Sequence, residues 1–400
     1  MPEPTPAALD QAEALLEALV GIPSPPRREA AAVHALVGWL AARGFQASRD
    51  GAGSAVGTRG VGPHEMLLLG HIDTFPGDLP VRRADGRLYG RGTVDAKGPL
   101  CAFAAAAAAV SVPPQWRVTV VGAVEEESWT SRGARHLVRS RRGAAPPAAV
   151  IVGEPSRWDR VTLGYRGSVE ARLRLRAPYA HSAGAASLPA ERAVRLWHAI
   201  EQFCATRSQG RPDREFERYG AALRSLRTAD DGAHGVATLT IGLRLPPGAR
   251  LAALHRDLSA TIDGLVRGWG DGAEVGCRFR GGQEAYQAPK SGPLVSAFLQ
   301  AIRSDGGHPR FVVKTGTSDL TIVGPAWPET PMVVYGPGDG ALDHTPDEHL
   351  DLAEYRRAVR VLTRVLEAVM RGTRESVGRG IPPSANRISL ETSRTRPSPA

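Results

Sequence analysis

Two histidines and a series of carboxylates stand where apolar runs of this 400-residue chain give way to polar chemistry. His71 and Asp73 close the run Met66-Leu67-Leu68-Leu69-Gly70 and lie two positions apart, so on an extended chain their side chains share one face. A carboxylate beside an imidazole fixes the ring tautomer and makes the other nitrogen a better metal ligand. Asp95 follows in the glycine-rich stretch Tyr89-Gly90-Arg91-Gly92-Thr93-Val94-Asp95-Ala96-Lys97-Gly98, within reach of the same place. Glu125-Glu126-Glu127, Glu154 and Asp343-His344 come after further apolar runs. Singly, a His-x-Asp is a hydrogen-bonded pair at a strand end, and three adjacent glutamates form a solvated loop. Two imidazoles and several carboxylates at successive strand ends form a metal site far more readily than a fold ornament.

The elements that must position these groups alternate in type. Residues 8–20 carry Leu9, Ala12, Leu16 and Leu19 on helical spacing, and residues 31–42 have a similar apolar pattern. Buried-strand runs are expected at 66–69, 118–124, 148–152 and 332–335, with helices at 97–110 and 131–140 between them. Strands alternating with helices predict an α/β layer around a mostly parallel sheet with helices on both faces. In such sheets, ligands collect at the carboxyl ends of the strands, where the acids and histidines stand. The pattern shifts from 162 to 283. A strand from 161 to 175 with one wet face, a helix from 190 to 204, a strand from 235 to 245, a helix from 251 to 269 and a strand from 273 to 279 predict an inserted ferredoxin-like α+β unit, a lid or dimerisation domain. The catalytic domain would then comprise 1–161 and 284–371, closing with a helix from 352 to 370. The Ser-, Arg- and Pro-rich tail, 372–400, has no apolar period and is expected to be disordered.

Composition narrows the function. A content of 42% hydrophobic residues supports a large core, and no apolar run approaches the ~20 residues needed to span a bilayer. The first residues lack a basic region followed by an apolar one, so a cytoplasmic protein is expected. Cys101, Cys204 and Cys277 fit neither a disulfide framework nor a Cys-x-x-Cys site, which leaves any metal to histidines and carboxylates. Of the formal charge of +9, residues 371–400 contribute +4 through six arginines and two glutamates, leaving +5. With no lysine-rich run and no interleaved aromatics, nucleic acid is not the expected partner. The arginines Arg132, Arg135, Arg139, Arg141 and Arg142, just beyond the Glu triplet, instead suggest a surface that attracts an acidic partner.

Gly70-His71-Ile72-Asp73, Gly90 to Gly98, Glu125-Glu126-Glu127, Gly153-Glu154-Pro155 and Asp343-His344, in that order, resemble the motifs of the di-zinc M20 family of peptidases and deacylases. The resemblance covers residues from about 8 to 371. Within that family the chain is most similar to hydrolases that release lysine or ornithine from an amino-group carrier protein. Asp95-Ala96-Lys97-Gly98-Pro99, Gly133-Ala134-Arg135 behind the Glu triplet, and Lys314-Thr315-Gly316-Thr317-Ser318-Asp319 suggest that branch.

The resemblance implies that His71, Asp95 and Glu154 hold one zinc ion and that Asp95, Glu127 and His344 hold the other, with Asp95 bridging; cobalt can replace zinc in such oxygen- and imidazole-rich sites. It implies Glu126 as the catalytic base, Asp73 as the group that holds His71, and His181 in Pro178-Tyr179-Ala180-His181-Ser182 as an oxyanion-stabilising residue supplied across a dimer interface. Arg244 falls where relatives contact substrate, and Lys314 and Ser318, within the run 314–319, either contact the leaving amino acid or belong to a simple polar turn. The family more often has Asp-Glu-Glu than three glutamates. Matching Gly133 to the glycine behind the acidic pair makes Glu126 the base and Glu127 the ligand, whereas a slip of one would give these roles to Glu125 and Glu126. The expected protein is therefore a homodimeric metallo-amidohydrolase of lysine or arginine biosynthesis acting on an acidic amino-group carrier protein. A small-molecule deacylase acting on acetylornithine or succinyl-diaminopimelate is the rival within the same chemistry. A non-catalytic binding protein on this fold would have lost one of Asp95, Glu126 or His344, and all three are present.

Overall fold

The computed structural model describes residues 3–178, 188–230, 233–270 and 272–378, with side chains described up to 371. His181 and the tail beyond 378 lie outside the described residues. A nine-stranded sheet forms the main layer, in the order Gln46–Arg49, Ala55–Gly60, Trp116–Ala123, His64–His71, Ala149–Gly153, Met332–Val334, Arg160–Tyr165 and Tyr286–Gln287, with Arg310–Lys314 also paired to Arg160–Tyr165. Its centre is parallel, from Trp116–Ala123 through His64–His71 and Ala149–Gly153 to Met332–Val334. The strands that flank this centre are antiparallel to it.

The continuous apolar run of strand His64–His71 follows from burial on both faces. Met66 and Leu68 pack into a core with helices Pro6–Val20, Ala30–Ala41, Lys97–Ala109, Pro293–Ser304 and Leu352–Gly378. Leu67 and Leu69 face the opposite side, toward Leu137 of helix Arg132–Ser140 and Leu320 and Val323 of helix Leu320–Ala326. The alanine-rich helix Lys97–Ala109 lies tight against the sheet because the strands present glycines to it. A Cβ at Gly153 would come 2.9 Å from Phe103, and one at Gly70 would come 3.2 Å from Leu100.

A separate antiparallel sheet, ordered Gly220–Asp230, His234–Leu245, Gly167–Pro178 and Glu274–Gln283, is covered on one face by helices Pro189–Arg207 and Leu251–Arg267. The sequence order strand, helix, strand, strand, helix, strand is that of the ferredoxin-like sandwich. The strand Gly220–Asp230 was not legible, since its residues are mostly exposed and lack the alternation of a half-buried strand. The strand expected from 161 to 175 is divided at Arg166: Arg160–Tyr165 pairs within the large sheet, and only Gly167–Pro178 belongs to the antiparallel one. The change of sheet therefore falls four residues after the expected boundary at 162, because apolar residues on both sides of Arg166 hide the transition. At the other end, helix Leu352–Gly378 continues past 372, where order was expected to stop; no proline interrupts it before Pro382. No described helix is long and apolar enough to cross a membrane.

Candidate metal centre

The carboxyl ends of the four parallel strands carry the chemistry. His71 ends its strand almost fully buried, and its Nδ1 lies 3.0 Å from the carbonyl oxygen of Asp73. A carbonyl only accepts, so Nδ1 carries a proton, and Nε2 is the nitrogen that faces the carboxylates. Nε2 lies 3.2 Å from Asp95 Oδ1 and 4.0 Å from Glu154 Oε1, where Glu154 leaves strand Ala149–Gly153. His344, on the loop after Met332–Val334, brings its Nε2 to 3.0 Å from Asp95 Oδ2 and 2.8 Å from Glu127 Oε1. Two groups result, His71–Asp95–Glu154 and Asp95–Glu127–His344, each with ligand atoms within 4.8 Å of one another and sharing Asp95.

The Asp73 carboxylate performs a task the sequence did not show. It stands 3.6 Å from His71 Nδ1, but its oxygens accept the backbone N–H groups of Glu126 and Glu127 at 3.0 and 2.9 Å. The ring is thus held by the Asp73 carbonyl, while the carboxylate fixes the turn that aims two glutamates. Glu125 points elsewhere: Thr130 donates to it at 2.7 Å and Arg132 at 3.4 Å, and its own amide donates to Glu29. Of the triplet, therefore, Glu127 joins Asp95 and His344, while Glu126 lines the open cleft beside them.

Electrostatically the site needs cations. Burial pushes the Glu126 carboxyl well above its ordinary pKa, opposed by His71 and reinforced by Glu154, Asp319 and Glu127. Glu154 is raised for the same reason, with Asp95 adding to it. Burial would also raise Asp95, but hydrogen bonds from His344 and His71 hold it below the usual carboxylate range. These bonds to Asp95 and Glu127 raise His344 to about 10. Asp319 and Asp343, raised by burial to about 7 and about 8, each keep one buried oxygen without a hydrogen-bond partner. Several buried carboxylates against two imidazoles form a donor set suited to two divalent cations, with open positions left at each for water and substrate.

A cleft of about 710 Å³ opens over the centre, and Tyr165, Arg244, Lys314, Thr315, Gly316 and Thr317 are among its walls. Arg244, half-buried on strand His234–Leu245, and Lys314 thus sit where substrate would lie. Lys314 reaches over Gly340, where a Cβ would collide with its Nζ. Ser318 corrects an expectation: it is fully buried, does not line the cleft, and its hydroxyl accepts the amide of Leu320 at 3.3 Å. Its place is at the turn that starts helix Leu320–Ala326, and Thr315 and Thr317 are the hydroxyls of this segment that line the cleft.

Sequence reasoning missed Glu348. Its Oε1 accepts the backbone N–H groups of Gly92, Val94 and Asp95 at 2.9, 3.0 and 3.2 Å, and Arg91 donates to its Oε2 at 2.8 Å. The loop that carries the shared Asp95 is therefore pinned by a carboxylate, and the only sequence signal was an acid four positions after His344. Phe75 was missed as well; its ring stacks on His344 with centroids 4.2 Å apart.

Comparison with known proteins agrees with this geometry. The chain is 43% identical over 376 residues to a [LysW]-lysine hydrolase of Deinococcus radiodurans, covering 92% of this chain and 99% of that one. It is 36% identical to a putative [LysW]-lysine/[LysW]-ornithine hydrolase of Thermococcus kodakarensis, over 90% of this chain and 92% of that one. Among solved structures, the di-peptidase Dug1p of Saccharomyces cerevisiae superposes with a TM-score of 0.75 at 14% identity, over 91% of this chain and 98% of that one, a likeness of fold. The family description "Peptidase family M20/M25/M40" matches residues 67–368, which include the whole centre from His71 to His344, and the chain belongs to that family.

Proposed function

We propose that this hydrolase cleaves the amide between the amino group of lysine, or ornithine, and the side chain of the terminal glutamate of a LysW-type carrier protein. The observation that carries this reading is the near-full-length 43% identity to a relative named for that reaction. In this reading His71, Asp95 and Glu154 hold one zinc ion and Asp95, Glu127 and His344 the other, with cobalt able to replace zinc. Two such ions polarise a carbonyl and bring the pKa of a water toward neutrality. Glu126, half-buried beside both groups and free of backbone clamps on its carboxylate, takes the proton of the attacking water and returns it to the leaving amine. Water adds to the amide carbon, the carbon–nitrogen bond breaks, and the products are the carrier's free γ-carboxylate and the amino acid.

Arg244 and Lys314 supply cations for the carboxylates of the substrate on either side of the scissile bond. His181 steadies the tetrahedral oxyanion, from the partner subunit of a homodimer whose contacts are made by the unit 167–283. The three cysteines, all free thiols, suit a reducing cytoplasm. The test is metal analysis of the purified protein together with steady-state assays on LysW-lysine, LysW-ornithine, acetylornithine, succinyl-diaminopimelate and a γ-glutamyl-lysine dipeptide. The carrier-linked substrates should have the highest kcat/KM by at least an order of magnitude, because remote contacts contribute transition-state binding. Equal or better turnover of acetylornithine or succinyl-diaminopimelate would overturn the carrier reading in favour of a small-molecule deacylase.

A further inference from the structure

The antiparallel sheet hides only one of its faces. Along strand Gly167–Pro178, Val169, Ala171, Leu173 and Leu175 are buried against the two helices, while Arg172, Arg174 and Arg176 point to the other side. Strand Glu274–Gln283 adds exposed Arg278 and Arg280 to that side, and strand Gly220–Asp230 adds Arg224 and Arg227. The register places them in rows: Arg278 pairs with Arg172, which pairs with Thr240; Gly276 pairs with Arg174, which pairs with Thr238, which pairs with Arg227. Arg224 lies across Gly242, where a Cβ would come 2.7 Å from its Nε. The acids of this face are Glu170, at 2.9 Å from Arg172 and 4.0 Å from Arg224, and Glu274 at the far end. Arg174, Arg227 and Arg278 have no ion-pair partner among the described residues.

Folding does not explain this arrangement. Like charges directly opposite on neighbouring strands, as Arg172 and Arg278 are, destabilise a sheet. A solvated face needs polar residues, not cations of one sign in adjacent rows. The face also leads to one place. Arg172, Arg224, Arg280 and Glu170 line the cleft that holds Glu126, Glu127 and His344. Arg174 and Arg278 lie two residues further out along their strands, about 7 Å from the cleft wall.

We infer that the arginine face of the antiparallel sheet is the docking surface for the acidic polypeptide that bears the scissile amide, whose terminal glutamate enters the cleft past Arg172 and Arg280. The inference rests on the carrier reading proposed above and names the surface that meets the carrier. It also moves the expected docking site away from helix Arg132–Ser140. There Arg141 is held by Glu65 at 2.6 and 2.9 Å, Arg135 by the carbonyls of Thr130 and Gly282, and Arg132 by Glu125, so most of that cluster is already engaged. An acidic protein fits the sheet face better than a nucleic acid, because the rows of Arg172, Arg174, Arg227 and Arg278 contain no aromatic side chain for bases to stack on, and the exposed Trp129, 5.8 Å from Arg280, stands at the cleft instead.

The experiment compares LysW-lysine with γ-glutamyl-lysine on the metal-loaded full chain, for the parent, Arg174→Glu/Arg278→Glu, the milder Arg174→Gln/Arg278→Gln, and Arg139→Glu/Arg142→Glu. Electrostatic steering changes encounter rates by about 10- to 1,000-fold and weakens as salt shortens the Debye length. The sheet-face reversal should lower kcat/KM for LysW-lysine about tenfold or more, mostly through KM, and flatten its salt dependence. The glutamine pair should fall between parent and reversal, the helix pair should track the parent, and dipeptide turnover, which also reports an intact fold, should stay within about twofold in all. If the parent prefers the carrier and the sheet-face reversal keeps that preference and its salt slope, the docking face is refuted while the carrier reading stands. If the parent treats carrier and dipeptide alike, the carrier reading falls and this inference with it. Loss of single-stranded oligonucleotide binding in the reversal, with carrier turnover untouched, would assign the face to nucleic acid and overturn the inference.

Discussion

Replacing Glu348 by alanine should damage both the fold and the metal centre, through contacts that involve no metal ligand side chain. The carboxylate is 1% exposed, and its loss leaves the amides of Gly92, Val94 and Asp95 and one Arg91 N–H without their acceptor. Each buried donor left unsatisfied costs about 1–3 kcal/mol, and a water admitted into the space restores part of the sum. Removing one partner of a buried charge pair costs about 3–5 kcal/mol, which sets the expected loss for Glu348→Ala. Glu348→Gln keeps an acceptor for the three amides and loses only the charge opposite Arg91, so about 1–2 kcal/mol is expected. Because the released loop carries Asp95, which belongs to both ligand groups, metal affinity should fall about 10- to 100-fold in the alanine variant. Urea unfolding of the metal-free proteins isolates the first effect, and metal content after dialysis against chelator-buffered zinc reads the second. An alanine variant with the parent's urea midpoint and the parent's metal affinity would refute the clamp. A lower midpoint with unchanged affinity would reduce Glu348 to a packing role.

Two further outcomes follow from the same geometry. Glu126→Gln should keep metal content near that of the parent while slowing turnover by about 10²–10⁴-fold, whereas Glu127→Gln should lose metal; the opposite pattern would return the roles to Glu125 and Glu126. Burial pushes Glu65 up, but Arg141, with Thr119 and Arg117 adding to it, outweighs burial and holds its pKa below the ordinary 4.5. A carboxyl depressed in the folded state stabilises above its unfolded pKa and loses that contribution as pH falls through the folded value. Glu65→Gln should therefore lower the urea midpoint at neutral pH and differ much less from the parent near pH ~3; a gap of the same size at both would exclude the ion pair as its cause.

What the sequence revealed and what it hid divide along physical lines. Apolar runs that end in polar chemistry, such as 66–71 and 148–154, stand out because parallel strands buried on both faces need unbroken apolar sequence, and the groups at their ends cannot be hidden in a core. His71, the Glu triplet, Glu154 and His344 stand out this way, whereas Asp95 sits in a glycine-rich loop and its sharing between two groups was implied only by the family resemblance. Asp73 and Glu348 as backbone clamps were not, since a carboxylate that accepts amide protons from a distant loop leaves no periodic trace. The arginines of the antiparallel sheet were overlooked for a related reason. Arg132 to Arg142 look like a patch because they are close in sequence, whereas Arg172, Arg227 and Arg278 are far apart and meet only through strand register. Strand Gly220–Asp230, exposed along most of its length, was invisible to a method that looks for apolar alternation.

The clamps share a logic that links fold to function. Glu29 takes the amides of Arg27 and Glu125, Asp73 those of Glu126 and Glu127, and Glu348 those of Gly92, Val94 and Asp95. Two of these three fix backbone from which a carboxylate reaches into the centre, so rigidity comes from main-chain geometry and the reaching side chains remain free for cations and substrate. Amide clamps made by neutral side chains would have been weaker, because hydrogen bonds to ionised groups are roughly twice as strong as neutral ones. The consequence is a crowd of carboxylates, negative when ionised, around His71 and His344, where burial, with neighbouring acids adding to it, raises the pKa values of Glu126, Glu154, Asp319 and Asp343. A field of that sign repels an acidic substrate, and the arginines on the opposite wall of the cleft supply the opposing one. A centre rich in acids can therefore face a basic wall because the two charges sit on different sheets, with the cleft between them.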